Sequence, residues 1–302
     1  MDKVADIQKQ LTEGLANFAA SGEWKKHLDV MAEFGPLRMG RLSFGNQILL
    51  IQQANSREDE ALSLAAVATF NAWKERGRCV KKGAKALWVL RPGKGFARGA
   101  AQKKEREIGR QLTDEEKSAY HYTYFSPLPL FSVSQTEGEP LPTICVPSLD
   151  DSECWGKTVE ALRSVALIHG VKAVHLRDRQ PGDGSAYGWL ERRSMEITVL
   201  TDCSRAEQLS TMVHELAHAL LHADSHDRAS NEVEAESVAY VVCKALGCDT
   251  SGFSFGYIAQ WATKKEGESD FAKAVERSGS AVARASTLIL TALLPPQNEA
   301  TE

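Results

Sequence analysis

One stretch, Thr211-Met-Val-His214-Glu215-Leu-Ala-His218-Ala-Leu-Leu-His222, constrains this chain more than any other. On a helix, residues four apart lie one above the other, so the imidazoles of His214 and His218 can reach the same ion. Glu215 lies about 100° round the axis. It cannot join the ligand pair, but it can reach a water bound to zinc and act as its general base. Ser204-Arg-Ala-Glu207 reads as a capping box that starts this helix. Leu209, Met212, Val213, Leu216 and Leu220 recur at helical spacing and supply a stripe to bury. The chain must therefore fold around a helix with metal chemistry beside a core face.

A tetrahedral site needs a third protein ligand. His222 continues the four-residue spacing but stands about 12 Å up the axis from His214, so a straight helix keeps it off a shared ion. It reads as helix C-terminal charge or packing. The acidic run Glu232-Val-Glu234-Ala-Glu236 opens a second helix after a polar turn. Glu232 and Glu236 share a face, and Glu234 lies about 200° from Glu232. Glu232 is expected as the ligand, and Glu236 as the acid behind the site that orients a ligand histidine. Glu234 reads as the partner of an Asn231 cap or a solvated charge, and is the alternative ligand.

Charge divides the chain. Ala72–Arg110 holds thirteen Lys and Arg against three Glu, a balance of +10, whereas Leu200 to the end carries fifteen acids against eight bases, or −7. Such asymmetry points to two surfaces with different partners. Residues 78–92 read as a strand, a Gly83 turn and a second strand, a basic hairpin carrying Arg76, Arg78, Lys81, Lys82, Lys85 and Arg91 with Trp73 nearby. Cations for phosphates and flat rings for unpaired bases suit single-stranded DNA. The competing reading is a solvated hairpin whose tryptophans are core.

Around these landmarks, helices are expected over 3–20, 23–34, 43–53 and 65–76. A mobile Gly- and Lys-rich stretch is expected over 93–104, a charged helix over 104–119, and strands at 120–125 and 130–133. Gln135–Pro142, with two prolines, reads as a linker without core residues. Beyond it the pattern gives a helix over 156–169 and strands at 171–176, 187–191 and 194–200. The strand just before the metal helix is expected to offer its edge to an extended peptide. Helical segments at 255–264 and 270–293 and a disordered polar tail follow. The expected domains are 1–136, a linker at 137–143, 144–293, and the tail at 294–302.

Six cysteines without a Cys-x-x-Cys pair read as reduced thiols. With no apolar leader and no long apolar run, a cytoplasmic protein without membrane partners is expected.

The pieces Leu42-Ser-Phe-Gly-Asn-Gln-Ile-Leu-Leu-Ile, Ala72-Trp-Lys-Glu-Arg-Gly-Arg-Cys-Val-Lys-Lys-Gly-Ala-Lys-Ala and Phe131-Ser-Val-Ser-Gln-Thr-Glu-Gly resemble the N-terminal domain of ArdC-type antirestriction proteins of conjugative plasmids. His214-Glu-Leu-Ala-His218 and Glu232-Val-Glu-Ala235-Glu236 resemble the zincin-like peptidase domain that follows it, related to the ImmA/IrrE peptidases. The resemblance implies single-stranded DNA binding, a zinc-type metal, and protection of incoming plasmid DNA. It also supports Glu232 over Glu234. The charged segment 103–117 departs from the family pattern as an insertion between strands.

The expectation is thus an α+β chain of two domains: a single-stranded-DNA-binding domain with a small antiparallel sheet, and a zincin-like metallopeptidase domain. His214, His218 and Glu232 would hold Zn2+, or another divalent ion such as Mn2+, with Glu215 as base. The protein substrate would be a host restriction component or a regulator. Two rivals are a DNA-coating protein with a structural metal, and a regulator-cleaving peptidase that does not bind DNA.

Overall fold

A computed structural model describes residues 3–21, 24–37, 42–57, 62–141, 146–223, 225, 227–253 and 268–294. Three helices open the chain, α1 (Lys3–Ser21), α2 (Trp24–Leu37) and α3 (Phe44–Asn55), as the apolar spacing requires. Ser43 caps α3 by accepting from the Asn46 N–H at 3.3 Å.

Only part of the expected fourth helix forms. Val67–Ala68 is a strand, β1, and Phe70–Glu75 is a short α4 capped by Thr69. Strands β2 (Arg78–Val80) and β3 (Leu87–Phe96) follow, but they do not make the expected hairpin. β3 pairs antiparallel over its whole length with β4 (His121–Ser132), and β2 pairs with β5 (Thr136–Gly138). The Lys81 N–H continues the β2–β5 pairing by donating to the Gln135 carbonyl at 2.9 Å, which draws β2 away from β3. β1 adds to the far end of β4, giving the order β1-β4-β3.

Two other expectations change here. Gly93–Phe96 is the outer end of β3 rather than a mobile stretch, and the charged segment splits into α5 (Arg98–Ile108) and α6 (Asp114–Ser118). The segment expected as a linker starts as β5, and Leu141 packs on the cluster containing Trp73.

β4 runs through Pro127 and Pro129 where two strands were expected. The reason lies in α3. Asn46 donates to the Leu90 carbonyl at 2.9 Å and accepts from the Leu90 N–H at 3.0 Å. Gln53 does the same with Trp88, at 2.8 Å each way. Two amides seven residues apart on one helix face thus satisfy the open edge of β3. Leu90 and Trp88 turn their polar groups to α3, so their pairings with Pro127 and Pro129 are the non-hydrogen-bonded kind. Proline's missing N–H then costs the ladder nothing.

The second half has α7 (Ser152–Ile168), then strands β6 (Ala173–Arg177), β7 (Gly188–Glu191) and β8 (Glu196–Leu200). β8 is central, parallel to β6 and antiparallel to β7. Helices α8 (Arg205–Leu221), α9 (Arg228–Ala245) and α10 (Glu268–Leu293) complete it. The expected helix at 255–264 and the tail at 295–302 lie outside the described residues. No helix among them is long and apolar enough to cross a membrane.

The largest core cluster draws on both halves. Trp24, Leu28, Met31 and Phe44 join Leu209, Met212, Val213, Val238, Tyr240 and Val282. Trp24 donates its ring N–H to Ser237 Oγ at 2.8 Å, and Lys244 pairs with Asp29 at 2.6 Å. Helix α2 therefore packs on a second face of α9, beside the one that meets α8. Glycine at 188 lets β7 approach α8: a Cβ there would stand 2.5 Å from the Thr198 carbonyl and 2.6 Å from Thr211 Cγ2.

Candidate metal centre

The capping box starts α8 as its sequence requires. The Ser204 N–H donates to Glu207 Oε2 at 2.9 Å, and the Glu207 N–H donates to Ser204 Oγ at 3.2 Å. Leu209, Met212, Val213 and Leu216 bury against the core and fix the rotation of the helix. The opposite side then meets α9, whose Ala235 and Ala239 are fully buried and permit close packing.

His214 Nε2 and His218 Nε2 stand 3.0 Å apart. Glu232 Oε2 lies 3.5 Å from the first and 3.7 Å from the second. At bond lengths of 2.0–2.2 Å, ligands of a tetrahedral ion are separated by about 3.4 Å, so the three atoms fit one ion. Behind them, Glu236 Oε2 approaches His214 Nδ1 at 3.3 Å. The one-turn spacing of Glu232 and Glu236 produces this pairing.

His222 packs at the C-terminal end of α8, as read from the sequence, but Glu234 is placed otherwise than expected. Helix α9 begins at Arg228 after Asp227, so Asn231 is not its cap; Asn231 is buried and accepts from Ser225 Oγ at 2.7 Å. Glu234 is neither a capping partner nor solvated. Its Oε2 lies 3.0 Å from His222 Nε2, and its Oε1 accepts from Ser278 Oγ of α10 at 2.6 Å. His222, only 1% exposed, places Nδ1 3.0 Å from His218 Nδ1. A buried chain Ser278–Glu234–His222–His218 thus runs from α10 to the candidate ion position.

The electrostatics suit a cation. Burial, aided by His214, His222 and Arg192, drops the His218 pKa to about 3, which keeps its ring neutral. Burial opposes a proton on His214, but the hydrogen bond its ring donates to Glu236 and the charges of Glu215, Glu236 and Glu232 outweigh it and raise the pKa. Surroundings that hold a proton there also attract a metal ion. Glu215 is raised by burial, partly offset by His214 and a backbone hydrogen bond from Leu190. A raised carboxyl is apt for general base and acid work.

Glu215, His218 and Glu232 line an open cleft of about 400 Å3 with Leu190, Arg192, Ser225, Arg228 and Asn231. The edge strand at this cleft is β7, through Leu190; β8, which precedes the metal helix, is central and has both edges occupied. Arg192, whose guanidinium donates to the His222 carbonyl at 3.0 Å, was not legible in the sequence. Nor was Ser278, since no local spacing ties a turn residue or α10 to the metal helix.

The basic residues are not gathered into one platform. Trp73 is fully buried and donates its ring N–H to the Phe131 carbonyl at 2.9 Å, so it cannot stack on a base. Arg78 binds Thr136 Oγ1 at 2.9 Å and the Gly138 and Glu139 carbonyls, holding β2 to β5. Arg76 donates to the Ala72 carbonyl at 2.9 Å, and Lys81 to the Ser134 carbonyl at 2.9 Å. Both remain solvent-exposed, as do Lys82, Lys85 and Arg91.

Residues 4–126 match the family described as the N-terminal domain of anti-restriction factor ArdC. An uncharacterized protein of Bacillus anthracis is 29% identical over 225 residues, which is 65% of this chain and 38% of that protein. The chain therefore spans well under half the length of that curated relative. The metal-free crystal structure of the antirestriction ArdC protein from plasmid R388 aligns over 94% of this chain and 96% of that one, at 17% identity and TM-score 0.52. The Mn(II)-bound structure of the R388 protein aligns over 91% and 99%, at 18% identity and TM-score 0.47. Residues 4–126 thus match the ArdC N-terminal domain family, and the chain shares its overall fold with the R388 protein.

Proposed function

We propose that this chain is an antirestriction protein whose first half binds single-stranded DNA and whose second half is a metal-dependent peptidase, protecting incoming plasmid DNA. The observation that carries the peptidase reading is the convergence of two imidazoles and one carboxylate beside a half-buried glutamate and an open cleft. His214, His218 and Glu232 would hold Zn2+ or Mn2+. When bound, such an ion polarises a carbonyl and acidifies water. Glu215 takes the proton of the attacking water on its carboxylate and passes it to the leaving amine. Glu236 holds His214 in position, and the chain through His222 does the same for His218. β7 presents its free edge to an extended peptide in the cleft. The DNA half is supported by the anti-restriction description of the matching domain and by the excess of cations upstream of residue 110.

Glu215→Gln is the decisive variant. It should keep metal and fold yet lose hydrolysis of peptides selected from a library, because an amide cannot accept the proton. Cleavage at the wild-type rate would remove Glu215 as base.

A further inference from the structure

The β3–β4 pair runs past the core as a two-stranded arm. Its inner end, with Leu87, Val89 and Leu130, is buried. Outward from the Arg91–Ser126 pair, both faces open to solvent. Solvated strand faces ordinarily carry polar side chains. This arm instead exposes Tyr122 by 54%, Tyr124 by 48%, Phe125 by 45% and Phe96 by 37%.

The tyrosines stand opposite glycines, Tyr122 across from Gly95 and Tyr124 across from Gly93. Each ring end lies over its glycine: a Cβ at Gly95 would come within 2.4 Å of Tyr122 Cζ, and one at Gly93 within 2.5 Å of Tyr124 Cζ. Bare glycine backbone thus lets each ring lie down on β3 and turn its other face to water. The two ring centres are 6.3 Å apart. Strand alternation puts Arg91 on the same face, and puts Lys94, Phe125 and the Phe96–His121 pair on the other.

The cations nearby divide into two groups. Lys104, Arg110 and Lys117 are paired with Glu107, Glu116 and Asp114. Arg91, Lys94, Arg98, Lys103 and Arg106 have no carboxylate partner among the described residues, and all are exposed. Open aromatic faces with unpaired cations beside them fit a flexible polyanion that carries its own flat groups. A single strand offers unpaired bases for stacking and phosphates for the cations. A duplex hides its bases, and an acidic peptide would leave the rings unused.

We infer that the outer arm, above all Tyr122 and Tyr124, is a stacking platform for single-stranded DNA. This rests on the DNA-binding half of the function proposed above, and it places the contact outward of the Trp73–Arg78 region. The test uses the full chain, labelled oligo(dT) and fluorescence anisotropy at low and moderate salt. Tyr122→Leu/Tyr124→Leu keeps an apolar cover over the glycines but removes the aromatic faces; Tyr122→Trp/Tyr124→Trp retains them. Both pairs should melt like the wild type, because the rings are half-exposed. The Leu pair should raise Kd about tenfold or more, and the Trp pair should bind close to wild type. A folded Leu pair with wild-type Kd would overturn the platform while leaving DNA binding itself standing. Equal losses in the Leu and Trp pairs would also overturn it, since stacking tolerates any flat ring. A wild-type chain without salt-dependent affinity for oligo(dT) would sink the DNA half of the function as well.

Discussion

Replacing Glu234 should weaken the metal site although Glu234 touches no ion. Its carboxylate accepts the Nε2–H of His222 at 3.0 Å. That leaves His222 Nδ1 as the acceptor in its 3.0 Å contact with His218 Nδ1, so His218 carries its proton on Nδ1. His218 Nε2 is then the free lone pair, aimed where Glu232 and His214 converge. In Glu234→Leu nothing fixes this order, and His218 spends part of its time in the tautomer that cannot ligate. Partners behind a ligating histidine are worth about 10–100-fold in metal affinity, or roughly 1.4–2.7 kcal/mol. Competition against a chromophoric chelator for Zn2+ reads this directly. The metal-free protein should also lose about 1–3 kcal/mol of stability, because the buried His222 N–H and Ser278 hydroxyl lose their acceptor. Glu234→Gln, whose amide oxygen can still accept, should recover part of both losses. A folded Glu234→Leu protein that binds zinc with wild-type affinity would refute the reasoning.

Other outcomes follow from the same geometry. Glu232→Ala should lose most bound metal by elemental analysis, since it removes one of three ligands; full occupancy would move the third ligand elsewhere. Asn46→Ala and Gln53→Ala should each cost about 1–3 kcal/mol in urea unfolding, because each strips partners from a β3 N–H and carbonyl. A loss below a few tenths of a kcal/mol would mean water replaces the amides. His27 is fully buried, and burial lowers its pKa from 6.5 to about 3. Between those values the unfolded chain holds the extra proton, so stability is full above pH 6.5 and falls with acid by up to about 1.4 kcal/mol per pH unit. His27→Leu should flatten that acid limb in melts from pH 7 to pH 4, and an unchanged slope would assign it to other groups. A fragment ending at Leu141 should bind hydrophobic dye, because Trp24, Leu28 and Met31 lose α9; a dye-silent, cooperatively melting fragment would contradict this.

The sequence alone determined whatever is written in local periodicity. Four-residue spacing put His214 and His218 on one face, and the same spacing put Glu232 toward the ion and Glu236 behind His214. The Ser204–Glu207 box marked where α8 starts, and apolar spacing marked α1, α2, α3 and α10. These are properties of a single helix turn, which neighbours do not change. Pairing between strands is not local, and there the reading failed: β2 left β3 for β5, and β4 passed through two prolines because α3 amides occupy the β3 edge. Trp73 shows why aromatic residues near cations are ambiguous, since burial depends on which elements meet above the ring. Glu234 and His222 show the same at the metal centre. Their helix positions gave no sign of contact; packing of α8, α9 and α10 around one point brought a serine 44 residues downstream of Glu234 into line with them. A helix face can be read from its own residues, but the partner of that face is set by packing with elements distant in sequence.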